Sequence, residues 1–223
     1  MLLLAADTSG KYGGIALVQC EPENICKVVE VIPLEGGTFS AQLVPQIAAL
    51  LAKHRFKKQD IDAFAVASGP GSFTGLRVGL SAIKALAEIL NKPVATVSLL
   101  EAIAASQSVS GKIFAVMDAG RGEVYVGEYD LNSAPVIRSE RLLTRQEMVS
   151  AAADHEIVTP DKNIADFARS AGLNVIEIER PQSDVIARLG WRKLQKGETV
   201  SPEALEANYI RRSDAEIFSK PNL

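Results

Sequence analysis

Two short segments of the chain place an aspartate directly after an apolar run, where a metal ion or phosphate could bind. Asp7-Thr8-Ser9 follows the run at 2–6, and Asp118 follows the run at 112–117. Such an aspartate can hold a hydrated magnesium ion while backbone amides of the next turn meet a phosphate. The same side chains can also satisfy only the amides of their own turns. The residues leave both interpretations open.

A third segment, "SGPGSFTGLRVG" at 68–79, runs from a glycine-proline turn into a predicted helix. It is not a P-loop, because no Gly-Lys-Ser/Thr follows, and it lacks the second glycine of a Gly-x-Ser-x-Gly elbow. We favour Ser72 as a helix N-cap over a nucleophile, since no histidine stands in a context typical of its base. An anion bound by the amides of 71–75 stays an alternative. The candidate anion site comprises Asp7, Thr8, Ser9, Gly69, Gly71, Ser72 and Asp118.

The helix that follows carries two glycines, Gly75 and Gly79, each of which costs about 1 kcal/mol relative to alanine. With Ala82 they form a stripe of small residues beside the apolar stripe of Leu76 and Ile83. A helix with two such stripes is buried on two sides. The second side packs either on the neighbouring helix or on another subunit, and the sequence does not decide between them.

Composition limits the classes of function. The chain has 223 residues, 47% of them hydrophobic and 23% charged, with a net charge of -3. That charge gives no general attraction to nucleic acid. We attribute the basic cluster at 53–58 to the end of a helix rather than to RNA. The two cysteines and two histidines form neither a disulfide scaffold nor a zinc pattern. No apolar run is long enough for a membrane span, so we expect a cytosolic protein without a metal or cofactor of its own.

Hydrophobic periodicity predicts an α/β protein with an internal repeat. The first half predicts three strands, a helix at 41–53 capped by Ser40, a strand, a helix at 73–90 and another strand. The second half begins again with strands at 112–120 and 123–131, and its helices include 144–154, opened by Thr144. Such a repeat predicts two similar lobes, each a mixed sheet with helices on its faces.

The segments "ADTS", "GPGSFTGLRVGLSAIKALA", "SLLEAIA", "MDAGRGEVYVGEYD" and "NYIRRSDAE" follow one another in this order. With them the chain resembles the bacterial TsaB (YeaZ) family over essentially its whole length. The resemblance implies a two-lobed actin-like ATPase (ribonuclease H-like) fold with a duplicated mixed sheet. It also implies a role in making threonylcarbamoyladenosine next to the anticodon of tRNA.

In that family the chain is not the catalyst. The resemblance implies that a paralogue, TsaD, holds the metal site and transfers threonylcarbamoyl to the tRNA adenosine. It implies that this chain binds TsaD, that the ATPase TsaE joins them, and that the chain alone forms a homodimer. ATP or ADP and a metal ion are then expected in the partner subunits, and tRNA contact only through the complex. Where many relatives have histidine-serine this chain has Phe39-Ser40, which argues further against metal binding.

The resemblance assigns partner binding to the helices 41–53 and 73–90 of an N-terminal lobe at 1–108. A C-terminal lobe would span 109–200, and a tail at 201–223 would dock back on the N-terminal lobe. The predicted interface residues are Ser40, Leu43, Val44, Ile47, Ser72, Phe73, Gly75, Leu76, Gly79, Ala82 and Ile83.

Two functions of other classes compete with this one. A stand-alone actin-like ATPase or small-molecule kinase would use Asp7 to bind magnesium-nucleotide without a partner. A hydrolase would use Ser72 as its nucleophile. Nucleotide binding by the isolated chain would favour the first, and covalent labelling of Ser72 would favour the second.

Overall fold

A computed structural model describes residues 1–22, 25–106, 111–131, 136–152 and 154–211. By its contacts the chain divides into two units. The first unit is Met1–Leu99 with Pro181–Asn208, and the second is Leu100–Arg180 continued from Tyr209.

The first unit is built on a five-stranded sheet in the order β3-β2-β1-β4-β5. β1 pairs antiparallel with β2 and parallel with β4. Central strands buried on both faces are expected to be continuous apolar runs, and every residue of β1 and β4 is buried. The elements are β1 (Leu2–Asp7), β2 (Tyr12–Cys20), β3 (Cys26–Glu35), α1 (Phe39–Lys53), β4 (Ala63–Gly69), α2 (Phe73–Leu90) and β5 (Val94–Ser98).

Helices α1 and α2 pack against each other and against the sheet. The buried face of α1 contains Phe39, Leu43, Ile47 and Leu50, which repeat at helical spacing. The predicted cap of α1 was wrong by two residues. Thr38, not Ser40, stands at the N-cap, because the amides of both Ala41 and Gln42 already donate to its carbonyl. The predicted ends of α2 are confirmed: Ser72 caps it, and Asn91 ends it in the left-handed conformation.

Helix α6 (Ser183–Gln195) covers the other face of this first sheet. Gly190 lies against the methyl groups of Ala65 and Ala95, whereas Phe64 and Val66 point to the side of α1 and α2. The expected C-terminal lobe at 109–200 is therefore corrected, because its last part belongs to the first unit. Small residues on both surfaces allow α6 to approach this sheet closely.

The two cysteines form a disulfide across the open hairpin between β2 and β3. Cys20 ends β2, Cys26 begins β3, and the two are register partners with a Cα–Cα distance of 4.2 Å. This single bridge is not a disulfide scaffold, but it links the start of the edge strand β3 covalently to the end of β2.

The second unit repeats the same plan. Its sheet has the order β10-β9-β6-β7-β8, with β6 antiparallel to β7 and parallel to β9. The predicted internal repeat and fold class are thus confirmed. The elements are α3 (Leu99–Ala105, which starts at the end of the first unit), β6 (Lys112–Gly120), β7 (Glu123–Asp130), β8 (Val136–Thr144), α4 (Arg145–Ala151), β9 (Glu156–Thr159), α5 (Lys162–Ser170) and β10 (Val175–Glu177).

The chain after α6 returns along the first unit. Val200 pairs with Val94, Leu205 is buried in the core below α1 and α2, and the amide of Asn208 donates to the carbonyl of Ser68. The expected tail at 201–223 therefore follows the first unit as far as Asn208, and its residues 212–223 lie outside the described ranges. Within the described residues, no helix is both long enough and apolar enough to cross a membrane.

Candidate functional site

The last residue of β1 and the two that follow it are enclosed by the protein rather than open to a ligand. Asp7, Thr8 and Ser9 are only 3%, 2% and 1% exposed. One carboxylate oxygen of Asp7 accepts the amide of Ser9 at 2.8 Å, which is the local turn interaction expected of an aspartate here. The hydroxyl of Thr8 donates to the carbonyl of Gly75 at 2.7 Å.

The glycines of α2 make room for this segment of the same chain. A Cβ atom on Gly75 would overlap the carbonyl oxygen of Thr8, and one on Gly79 would overlap its hydroxyl. A Cβ on Gly71 would overlap the carbonyl of Ser9 in the same way. The small-residue stripe of α2 thus faces the end of β1, and neither the neighbouring helix nor a partner is needed to explain it.

The predicted anion site is brought together only in part, and it is closed. The amide of Ser72 donates to the carbonyl of Ser9 at 2.6 Å, so the two loops are held directly against each other. Gly69 lies instead beside the carbonyl of Asn208, and Asp118 belongs to the second unit. Asp7 is buried and the Thr8 hydroxyl is hydrogen-bonded to Gly75, so the arrangement at this strand end does not fit a phosphate or a magnesium ion.

A pocket of about 150 Å³ opens beside this closed segment, where α1 and α2 begin. Its lining is uncharged and mostly of small residues: Gly10, Gly37, Phe39, Ser40, Ser72, Thr74, Gly75 and Val78. The hydroxyl of Ser72 accepts the amide of Gly75 at 3.2 Å, as an N-cap does. No hydrogen bond to a histidine or carboxylate is found for that hydroxyl among the described residues, which argues against the nucleophile hypothesis.

Asp118 in the second unit also acts within its own turn. Its two carboxylate oxygens accept the amide of Gly120 at 3.0 Å and the side-chain amide of Asn163 at 2.8 Å. Arg145 lies 3.8 Å from the carboxylate and balances its charge. Across the described ranges, no group of three or more His, Cys, Asp or Glu side chains is arranged to hold a metal ion.

The residues predicted to bind a partner separate into two groups. Six of them are buried in the first unit's own structure, since they face the sheet or the end of β1: Leu43, Ile47, Gly75, Leu76, Gly79 and Ile83. The others lie at least partly at the surface: Ser40, Val44, Ser72, Phe73 and Ala82. Burial in the chain's own core argues against the six as contact residues, because periodicity identifies an apolar stripe without saying what covers it, and the assignment of partner binding to these two helices stays a prediction.

Sequence reasoning missed a second apolar surface on the opposite side of α1. We call it the α1–α2 outer face. Val44 is 51% exposed and Ile89, on α2, is 73% exposed. The exposed residues that define this face are Ala41, Val44, Pro45, Ala48, Ala49 and Ala52 of α1 with Ala85 and Ile89 of α2. The signal was available in the sequence, since residues 39–52 contain no charged side chain.

Charged side chains lie at the ends of the α1–α2 outer face. At the C-terminus of α1, Lys53 and His54 each approach the carboxylate of Glu30 on β3 to 2.6 Å. Hydrogen bonds from Lys53 and then His54 hold the pKa of Glu30 below its ordinary value. Lys53 therefore neutralises a carboxylate of its own unit. Near the start of α2, the Arg77 guanidinium lies 3.8 Å from the centre of the Phe73 ring.

Known proteins agree with this architecture. YeaZ from Pseudomonas aeruginosa superposes with a TM-score of 0.76 at 25% identity, over 93% of this chain and 99% of that one. The activator of the 2-hydroxyisocaproyl-CoA dehydratase from Clostridium difficile, solved with bound ADPNP, shares the fold at a TM-score of 0.53 and 10% identity, over 89% of this chain and 97% of that one. The two repeated mixed sheets with their helices define an actin-like ATPase (ribonuclease H-like) fold.

Sequence comparisons identify the family, within this fold class, to which the chain belongs. Residues 35–181 match the family model described as TsaD, tRNA N6-adenosine threonylcarbamoyltransferase. The tRNA threonylcarbamoyladenosine biosynthesis protein TsaB of Bacillus subtilis is 29% identical over 97% of this chain and 96% of its own length. The chain belongs to this family, in its TsaB (YeaZ) branch, which acts in tRNA threonylcarbamoyladenosine biosynthesis.

Proposed function

We propose that this chain is a non-catalytic subunit that binds TsaD and supports transfer of threonylcarbamoyl to the tRNA adenosine next to the anticodon. The chain contributes a docking surface, and TsaD contributes the reacting groups, the metal ion and the nucleotide. TsaE joins the pair, and tRNA meets this chain only through the complex. In the absence of TsaD, the same surface joins two copies of the chain.

The observation that supports docking most strongly is the α1–α2 outer face. Residues 39–52, which include all of its α1 positions, contain no charged side chain, although 23% of the whole chain is charged. An exposed apolar helix face of this kind is typical of interaction sites on soluble proteins. Most of its side chains are alanines, so a second helix can approach α1 closely, since the distance between packed helices depends on the side chains at the contact. The partner surface that fits is therefore another helix or pair of helices.

The closed segment at the end of β1 supports a role outside catalysis. Asp7 and Thr8 are engaged with Ser9 and Gly75. In an enzyme of this fold class, a side chain such as that of Asp7 would have to reach a magnesium ion or phosphate. Here the Asp7 carboxylate accepts the amide of Ser9, and Thr8 joins the end of β1 to α2, which fixes the position of one of the two helices that carry the outer face.

The proposal is tested by size-exclusion chromatography of the chain with TsaD of the same organism. We expect co-elution for the unaltered chain and a rise in Kd of at least about tenfold for Val44→Glu or Ile89→Glu, because a charge would be buried at the centre of the contact. Both side chains are exposed in the free chain, so both variants are expected to keep its fold.

The matched control is Ile137→Glu, which adds the same charge at a residue that is 48% exposed in the second unit. This variant is expected to bind TsaD as the unaltered chain does. Loss of binding in all three variants, or in none of them, would move the contact away from the α1–α2 outer face. The same variants of the isolated chain, followed by light scattering, report whether the homodimer uses this face as well.

A further inference from the structure

The disulfide between Cys20 and Cys26 joins two residues of unequal exposure. Cys20 is 1% exposed, whereas Cys26 is partly exposed at the start of an edge strand. A small molecule can therefore approach the bridge from the side of Cys26 and not from the side of Cys20. Exposure of this kind separates an exchangeable disulfide from an inert one.

The backbone holds the two cysteines to different degrees. Cys20 donates its amide to the carbonyl of Met1 and accepts from the N-terminal ammonium, both at 2.8 Å. It is fixed between β1 and β3 whether or not the bridge is present. Cys26 begins β3, which has β2 as its one neighbour in the sheet. The bridge is thus an added restraint on the start of β3.

We propose that Cys20–Cys26 is a reversible thiol–disulfide exchange site whose co-reactant is a low-molecular-weight thiol or the corresponding disulfide. In the cytosol, where we expect this chain, low-molecular-weight thiols are kept reduced and permanent disulfides are rare. The site is separate from the proposed docking of TsaD and does not depend on it.

The exchange follows the usual two steps. In reduction, an external thiolate attacks the sulfur of Cys26, the bond to Cys20 breaks, and the Cys20 thiolate leaves and takes a proton from solvent. A second external thiolate then attacks the outer sulfur of the mixed disulfide, which releases the Cys26 thiol and a low-molecular-weight disulfide. Two external thiols are oxidised and one protein disulfide is reduced. Oxidation runs through the same steps in reverse.

Opening the bridge releases the start of β3 but leaves β2 in place. The expected consequence is faster amide hydrogen exchange in β3 (Cys26–Glu35), with β1 and β4 unchanged. The tip between the cysteines contains Ile25, whose side chain is 56% exposed and contributes little packing.

The test uses the full chain and glutathione. Cys20→Ser leaves only the partly exposed sulfur, and Cys26→Ser leaves only the buried one, so the variants are matched in composition. With oxidised glutathione, we expect the Cys20→Ser variant to form its mixed disulfide at least about tenfold faster than the Cys26→Ser variant, because reactivity follows access to the sulfur. Intact mass, measured after quenching by alkylation, reports the products.

The unaltered chain is then equilibrated at several ratios of reduced to oxidised glutathione. We expect a single transition between dithiol and disulfide, with β3 exchanging faster on the reduced side. Equal rates in the two single variants would contradict attack at Cys26. A chain that stays fully reduced or fully oxidised at every ratio would overturn the exchange site.

Discussion

At the scale of single residues, Thr8 makes the closest contacts between the end of β1 and helix α2. Its hydroxyl donates to the carbonyl of Gly75, and both its hydroxyl and its own carbonyl occupy the space where side chains of Gly79 and Gly75 would lie. The glycines therefore allow an enclosed strand end to sit directly against a helix. Their cost in helix propensity is offset by this close contact.

Gly79→Ala tests this contact. In the unaltered background we expect the free energy of unfolding to fall by about 1–3 kcal/mol, because the added methyl group overlaps the Thr8 hydroxyl. In a Thr8→Ala background the overlap is gone, and the same change is expected to raise stability by about 0.5–1 kcal/mol through helix propensity. Urea unfolding of the four chains in this cycle measures the difference.

Equal effects of Gly79→Ala in the two backgrounds would show that Thr8 is not what the glycine accommodates. Loss of TsaD binding by Gly79→Ala without loss of stability would restore the original hypothesis, in which Gly79 makes room for a partner's helix.

At the scale of elements, a capping box in the first turn of α4 fixes where this helix of the second unit begins. The Thr144 hydroxyl accepts the amide of Glu147 at 3.2 Å, and the Glu147 carboxylate accepts the Thr144 amide at 2.7 Å. This reciprocal capping box confirms the predicted start of the helix at Thr144. The hydrogen bonds from the amide and then the hydroxyl of Thr144 lower the pKa of Glu147.

The lowered pKa of Glu147 predicts a pH dependence. A carboxyl group whose pKa is lower in the folded chain adds stability above its unfolded pKa, and that stability is lost as pH falls through the folded pKa. We therefore expect Glu147→Gln to lower Tm at pH 7 and to have a much smaller effect at pH 3. Glu198→Gln, at an exposed position just after the turn that follows α6, is the control. A Glu147→Gln effect that is as large at pH 3 as at pH 7 would contradict the charged cap.

Sequence patterns predicted well where individual helices lie, but they did not predict which parts of the chain pack against those helices. Apolar periodicity located α2 and its cap Ser72, because both depend on residues close together in the chain. The same periodicity could not say that the stripe of Gly75 and Gly79 meets Thr8, which is about seventy residues away. The residues of α6 were expected in the C-terminal lobe at 109–200 but belong to the first unit, since amphipathicity shows that a helix covers a sheet without identifying the sheet.

The candidate site was predictable only in part for the same reason. The choice of α1 and α2 came from the resemblance and led to a surface that the structure does expose. Several of the residues chosen on them were apolar ones with strong periodicity, such as Leu43 and Ile83, and these belong to the core. Val44 is instead exposed. The absence of charge from 39 to 52 was the better signal.

At the scale of the whole molecule, the two units share one strand order but differ at the equivalent strand ends. Asp7 is enclosed in the first unit, whereas Asp118 in the second unit is partly exposed and is held by Asn163 and Arg145. In both, the aspartate stabilises a turn. Duplication thus preserved the architecture, and each copy uses the strand end for its own internal contacts.

The most direct test of the proposed role is a reconstituted transfer reaction. It contains TsaD and TsaE of the same organism, ATP, a threonylcarbamoyl donor and tRNA, and the modified nucleoside is measured by mass spectrometry. We predict that omitting this chain, or supplying it as Val44→Glu, lowers product formation strongly, whereas Ile137→Glu restores the full rate. Product formed by this chain without TsaD, or a full rate with Val44→Glu, would contradict a non-catalytic docking subunit.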